Sequence, residues 1–294
     1  MATMGLAAGY QNLPTGNWAP AIYSQKVLGD TVNILKEPSI TVASYARGQT
    51  VNTQTLADDQ IQLTIDQGNY FAFKVDDIEE RQSHVNWEAL ATSSGAYTLK
   101  KAYDYNVLKN MYDNAIASTG TLGTQATSAN TGDEVANLVA QAAAELDKND
   151  VPEENRWLVA PPQFYEVLRQ AGSKIMDASV IGSGGSPLLN GRVTDRPLHG
   201  FDLYQSNAIA VGSTGSAAAH TFGSSSTAGQ TAILYGHMSG VATASHIAKT
   251  EVIRDPDSFS DIVRGLHVFG RKVLRGESTT GFKGVFKGLM DLDS

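Results

Sequence analysis

Between Arg47 and Ala117 the chain switches once from a repeat of two to a repeat of three or four. Ile61, Leu63 and Ile65 alternate with Gln60, Gln62, Thr64 and Asp66, and Phe71, Phe73 and Val75 repeat the alternation. Such spacing turns one face of each strand toward an apolar layer. Residues 47 to 75 therefore read as a long extended hairpin. Arg47-Gly48-Gln49 opens it, its tip falls near Leu56-Ala57-Asp58-Asp59, and Gly68-Asn69 turns the chain into a third strand. From Trp87 to Ala117, Leu90, Ser94, Tyr97, Lys101, Tyr105, Leu108, Tyr112 and Ala115 recur at helical spacing. Asn86 is placed to cap that helix. A helix of this length spans roughly 45 Å, which exceeds one compact domain and braces two. Gly95 inside it costs about 1 kcal/mol against Ala and marks a place for a bend. A projecting two-stranded ribbon cannot bury its own faces and is marginal alone in water. The simplest cover is a neighbouring identical subunit.

The composition agrees with surfaces meant to be covered. Charged residues make up 18% of the 294, below the ~25% usual for soluble domains. The apolar share of 41% is enough for a real core, and the length suits about two domains. The formal net charge of −8 argues against a protein that grips nucleic acid through a basic face. Cysteine is absent, so disulfides, thiolate metal sites and cysteine nucleophiles are excluded together. Met1 to Pro20 has neither the cationic nor the apolar region of a secretory signal. No stretch approaches the ~18 consecutive apolar residues of a membrane span. These features lead to an expectation of assembly in a cytoplasm, with no membrane partner.

Around the hairpin and helix, the remaining elements follow from local signals. Residues 1 to 21 read as an extended arm that orders against a partner, and Tyr23 to Leu35 as a short helix followed by a strand. Ile40 to Tyr45 continues extended. Ser118 to Asn130 is a Gly/Thr/Ser linker. Thr131 and Glu134 form a capping box ahead of Val135, Leu138, Val139, Ala142 and Leu146. Trp157 to Ala160 is a buried strand, stopped by Pro161-Pro162, which opens a helix ending at Gly172. Asn190-Gly191 marks a turn, and Phe201 to Tyr204 and Ala232 to Tyr235 are strands. Gly212 to Gln230 is a low-complexity loop. Glu251 to Arg254 and Val268 to Val273 read as strands on either side of the Asp255-Pro256-Asp257 turn. No internal repeat is visible.

No group of residues carries catalytic spacing, and the chain is expected to have no catalytic, cofactor-binding or metal-binding residues. Asp76, Asp77, Glu79 and Glu80 could offer oxygens to a divalent cation, but the plainer reading is a solvated acidic turn before a helix. Ile181-Gly182-Ser183-Gly184-Gly185-Ser186 lacks the Gly-Lys-Ser/Thr ending of a phosphate loop and reads as a surface loop. Gly236-His237-Met238-Ser239-Gly240 misses the Gly-x-Ser-x-Gly elbow by one position and reads as a tight turn. His84, His199, His220, His237, His246 and His267 never stand three or four apart, as helical metal ligands would. Arg254, Arg264, Arg271, Lys272 and Arg275 interleave with Glu251, Asp255, Asp257, Asp261 and Glu277. That mixture suits ion pairs within or between subunits better than a nucleic-acid patch.

The order of elements, and several local stretches, resemble the major capsid proteins of tailed double-stranded DNA bacteriophages, the Hong Kong phage capsid fold family. The stretches are Gly48-Gln49-Thr50-Val51, Leu63-Thr64-Ile65-Asp66 and Phe73-Lys74-Val75-Asp76-Asp77-Ile78-Glu79, then Arg156-Trp157-Leu158-Val159-Ala160-Pro161-Pro162, and Gly265 through Val273. The resemblance covers nearly the whole chain and rests on order and spacing, since no single stretch is specific.

It implies an α+β fold with an N-terminal arm (1–30) and a peripheral domain (31–130 and 247–283). That domain would carry an extended β-hairpin E-loop (47–66) and a long spine helix (87–117). A central axial α/β domain (131–246) and a C-terminal tail (284–294) complete the division. It also implies a structural, non-enzymatic protein. Copies would assemble into pentamers and hexamers of an icosahedral head around packaged double-stranded DNA, in a virion built in the host cytoplasm. Portal, scaffolding and decoration proteins are the implied partners, and no cofactor is implied. The short arm points to a separate scaffolding protein. Residues 47 to 66 contain no lysine, which argues against the covalent E-loop crosslink of some members. Two rival readings are the shell protein of a bacterial encapsulin-like nanocompartment and a hydrolase using Ser239 or His237.

Overall fold

The computed structural model describes residues 31–35, 40, 42–51, 53–55, 60–76, 87–119, 122, 131–169, 198–209, 230–275 and 283–291. Three sheets and three helices occupy these stretches. The strands are β1 (Thr31–Leu35), β2 (Gln60–Thr64), β3 (Gln67–Asp76), β4 (Ile116–Ala117), β5 (Arg156–Ala160), β6 (Phe201–Gln205), β7 (Gln230–His237), β8 (Val241–Arg254), β9 (Ser260–Val273) and β10 (Val285–Asp291). The helices are α1 (Trp87–Asn114), α2 (Gly132–Lys148) and α3 (Pro162–Leu168).

The first sheet runs β3-β9-β8, antiparallel throughout. Alternation in β3 sends Phe71, Phe73 and Val75 toward α1 and leaves Tyr70, Ala72 and Lys74 exposed. Phe71 lies between Gly95 of α1 and Gly265 of β9. A Cβ added at Gly95 would lie 2.9 Å from Phe71 Cδ2, and one at Gly265 would collide with the same ring. Gly95 is thus a clearance for an aromatic ring, where the sequence suggested a bend. Farther along the helix, Tyr103 meets Phe269 edge-on at 4.7 Å and His267 at 5.2 Å.

The second sheet has the order β4-β10-β7-β5-β6. Its central strands are buried on both faces, so period two is lost and continuous apolar runs appear. On one side Leu158, Ala160, Ile233, Tyr235, Phe286 and Met290 pack on α2 and α3. On the other, Trp157, Val159, Leu234 and Val285 pack on Val107, Leu108 and Met111 of α1. The result is a layer of helices, a sheet and the far half of α1. The long helix does reach both sheets, as its length suggested. The capping box at Thr131 and Glu134 is present, with both reciprocal bonds made.

Besides α1, two chain passages join these sheets: β7 into β8, and β9 toward β10. They cross at Gly236, Gly240 and Gly284. The His237 N–H donates to the Gly284 carbonyl (2.8 Å) and the Leu274 N–H to the Gly240 carbonyl (2.8 Å). Added Cβ atoms at Gly236 or Gly240 would run into the Gly284 backbone, so only glycine lets the backbones approach this closely.

Several expectations are corrected. The strand partner of Gln60–Thr64 is Thr31–Leu35, in register Thr31↔Thr64 through Leu35↔Gln60. Residues 42–51 and 53–55 form no strand. The E-loop therefore stands on a ribbon contributed by the segment before it, and period two could not reveal which strand pairs with which. Gly68-Asn69 does not turn the chain but lies inside β3, paired with Val268 and His267. The helix expected over 87–117 ends at Asn114, and Ile116–Ala117 becomes a strand beside β10. Its buried apolar side chains are Leu99, Val107, Leu108, Met111 and Tyr112, while Leu90 and Tyr97 are exposed. Residues 284–294, expected to be a tail, contain β10, which sits between β4 and β7. The assignments for residues 1–30, Asn86, the linker 123–130, Gly172, Asn190-Gly191 and residues 212–229 lie outside the described residues.

Candidate assembly surface

The base of the E-loop is well held. Val32, Ile34, Leu63 and Ile65 form a small core with Ala242 and Leu274. β2 crosses β9 at Gly270, where a Cβ would strike the Thr64 carbonyl. Lys272 Nζ donates to the Gln62 carbonyl at 2.8 Å, and Arg271 lies 3.8 Å from Asp66.

Beyond that base, the described residues between β1 and β2 are exposed. Ile40 is 71% exposed, Val42 93%, Tyr45 67% and Val51 72%. Among the described residues a turn forms at 46–49. The Gln49 N–H donates to the Ala46 carbonyl at 3.0 Å, and Gln49 Oε1 accepts the Ala46 N–H. Gly48 takes a φ of 87°, which suits glycine. Four large apolar side chains exposed along the segment between β1 and β2, of which Val51 lies in the E-loop itself, are an unfinished surface.

A second uncovered region is the β8–β9 hairpin tip. Val252, Ile253 and Phe259 are exposed there, Phe259 at 79%. Asp255 organises the turn: its carboxylate accepts from Ser258 Oγ and from the Asp257 N–H, and pairs with Lys74. These donors hold the Asp255 carboxyl well below the usual range, the Lys74 ammonium first among them.

The interleaved charges make ion pairs within the subunit. Arg254 meets Asp261 at 3.1 Å, and Arg264 pairs with Glu251, which also holds Lys249.

Polar groups inside the molecule serve the fold. Glu145 of α2 accepts from Ser118 Oγ, from the Thr119 N–H (2.7 Å) and Oγ1 (2.9 Å), and from the Tyr235 hydroxyl (2.6 Å). Burial alone would raise its carboxyl, but the four donors together hold it below the ordinary value. Arg156, buried, binds Asp147 at 2.7 Å and two carbonyls of the α2–β5 turn. Glu145 did not stand out in the sequence, since its partners are 26 or more residues away along the chain.

The remaining candidates resolve as follows. His237 Nδ1 lies 2.8 Å from Ser239 Oγ and accepts the Ser239 N–H at 3.2 Å. The pair closes a single 3-10 turn after β7, and the imidazole is held below its usual pKa, first by burial and then by Arg275. The Gly236–Gly240 stretch is the tight turn expected. His267 is buried against Tyr103 and Phe269, with Nε2 3.0 Å from Ser245 Oγ. Among the described residues no three or more His, Asp or Glu side chains gather as metal ligands. Asp77, Glu79, Glu80 and the stretch 181–186 lie outside the described residues, as do His84 and His220; no helix among the described residues is long and apolar enough to cross a membrane.

The fold and its open surfaces thus define a structural protein. The chain belongs to the phage capsid protein family, whose model matches residues 36–287. It is similar in structure to a Mycobacterium phage Che8 protein, with 30% identity and a TM-score of 0.69 over 88% of this chain and 84% of that one. It is also similar to the capsid of the cyanophage P-SCSP1u (16% identity, TM-score 0.64, 88% and 83% covered). The mature capsid of bacteriophage PhiM1 gives 15% identity and a TM-score of 0.61 over 88% and 81%. No curated protein sequence matches the chain. Its architecture is the Hong Kong phage capsid fold, mixed α and β, in a family that is structural and not enzymatic.

Proposed function

We propose that this chain is the major capsid protein of a tailed phage, and that it self-assembles into pentamers and hexamers of an icosahedral head. The observation that carries this reading is the uncovered E-loop. Val51 of the E-loop and Ile40, Val42 and Tyr45 just before it are exposed, while the β1–β2 base is packed. Burying them against a sister subunit gains roughly 25 cal/mol per Å² of apolar surface, repeated at every copy. Modest contacts per subunit add to a strong shell.

The domain division follows the same reading. Residues 1–30 are the arm, 31–130 and 247–283 the peripheral domain, and 131–246 the axial domain. The five-stranded sheet supports moving β10 out of the tail and into the axial domain. The net charge of −8 suits a wall that does not cling to packaged double-stranded DNA. Scaffolding, portal and decoration proteins would act on a shell assembled in the host cytoplasm.

Negative-stain images of the expressed chain, alone and with a scaffolding protein from the same phage, test the reading. Closed shells of uniform size are expected. A stable monomer at high concentration in both preparations, with residues 40–55 protected from proteolysis, would refute it. Purified subunits are also expected to bind duplex DNA weakly at physiological salt; tight binding would refute the non-clinging wall.

A further inference from the structure

The β1–β2 ribbon lies on the face of the β3-β9-β8 sheet opposite α1. Phe269 and Arg271 of β9 meet Tyr103 and the Asn106 carbonyl of α1, so the alternate residues Val268, Gly270 and Lys272 face the ribbon. At Gly270 the two backbones come together. A Cβ there would strike the Thr64 carbonyl and lie 2.8 Å from Leu63 Cδ2 and 3.0 Å from Ile65 Cα. The neighbouring strand is low as well: Gly270 pairs with Ala244 and Lys272 with Ala242, and both alanines pack on the ribbon core of Val32, Ile34 and Leu63. Two residues farther along β9, Lys272 extends its four-carbon stem and donates from Nζ to the Gln62 carbonyl at 2.8 Å. The ribbon thus rests on bare backbone at Thr64 and on a long side chain at Gln62. Gln67 already pairs with Phe269 at the edge of β9, so the chain passes from the face of the sheet to its edge within Ile65 and Asp66. The Arg271–Asp66 pair adds little to this geometry, because it is 3.8 Å long and Asp66 is 60% exposed.

We infer that Gly270 is a positioning residue that aims the E-loop, the difference in height between it and Lys272 fixing the angle at which the ribbon leaves the subunit. This role rests on the shell reading for its purpose and names the device that presents the exposed loop. A methyl group at 270 must lift Thr64 by roughly 1 Å to restore ordinary contact. β2 runs on from Thr64 to Gln60, about 13 Å away. Thr31–Leu35 pairs with it along that whole length, so the ribbon moves as a unit. With the pivot at Ile65 and Asp66, a small lift at Thr64 becomes a displacement of several ångströms at Gln60. Close backbone approach also explains a glycine inside a 14-residue strand, where it otherwise weakens pairing.

The absence of cysteine makes the angle measurable. Nitroxide labels are placed on Gln60→Cys at the far end of the ribbon and on Ala72→Cys of β3, both exposed. Pulsed electron spin resonance on the free, full-length subunit then reads the distance between them. Gly270→Ala is expected to shift the mean distance by about 3 Å or more while the subunit still melts cooperatively. Ala244→Leu raises the adjacent strand under the same ribbon and is expected to shift it too; it decides the matter if Gly270→Ala does not fold. A merely structural role would lower the Tm and leave the distance where it was. An unchanged distance in a folded Gly270→Ala protein, or in Ala244→Leu where that one stands in, would overturn the role. In assembly, a moved ribbon is expected to lower the yield of closed particles about tenfold, because the same misdirection recurs at every copy. Normal yield from a chain whose ribbon has moved would also overturn it, with the shell reading intact. If the unaltered chain forms no particles at all, the shell reading fails, and the distance in the free subunit still decides whether Gly270 sets the angle.

Discussion

Two buried carboxylates pull stability in opposite directions with pH. Glu145 is held below its usual pKa, so its contribution is present above the ordinary carboxylate range and is lost as pH falls through the folded value. Replacing it with Gln puts an amide NH₂ among four donors and is expected to cost about 3 kcal/mol, read by urea unfolding of the subunit at pH 7. Asp104 is the reverse case. It is 3% exposed on α1, Oδ1 has no partner among the described residues, and burial pushes its carboxyl from 3.8 up to about 7 against the pull of Lys100. Between those values the folded state holds a proton that the unfolded chain has released. Stability therefore falls as pH rises from about 4 to about 7, and the deficit persists above. Asp104→Asn is expected to remove that slope and to raise stability at pH 8 by roughly 2 to 4 kcal/mol. A Tm that varies with pH in the same way for both proteins would show the charge to be solvated.

At the scale of elements, packing overrides propensity in α1. Alanine for glycine in a helix ordinarily helps by about 1 kcal/mol. Gly95→Ala is expected to destabilise the subunit by about 1 to 2 kcal/mol, because the new methyl meets the Phe71 ring. In a Phe71→Leu background the same change is expected to be neutral or favourable, and melts of the four proteins form a double-mutant cycle that decides it. The C-terminus of α1 shows a second tertiary device. It has no basic residue in its last turn, yet Lys287 of β10 donates to the Tyr112 carbonyl at 3.1 Å and lies 4.7 Å over its ring. Lys287→Met is expected to lower stability by about 1 kcal/mol and to fray the end of the helix, seen as faster amide exchange at residues 111–114.

For the whole molecule, stability and association are separable. The core lies in the two sheets, the three helices and the β1–β2 ribbon, and no described residue of 42–55 belongs to it. Replacing 42–55 by a short Gly/Ser linker is expected to leave the subunit Tm within about 2 °C and to abolish particles, as judged by calorimetry and sedimentation together. A large fall in Tm would mean that the loop belongs to the subunit's own fold.

Local chemistry was legible in the chain itself. The capping box at Thr131, the Pro161-Pro162 break, the 255–257 turn and the strands around Phe71, Trp157 and Val268 depend on neighbours a few residues away, so spacing alone reveals them. The low share of charged residues read directly as surfaces meant to be covered. Pairing did not read directly. Alternation shows that Gln60–Thr64 is a strand but not that Thr31–Leu35 completes it, because period two is the same for every partner. The tail became the strand β10, and Gly95 became room for Phe71, through contacts with residues far along the chain. Only the tertiary structure could decide these, since long-range burial chooses among partners that local sequence leaves equivalent.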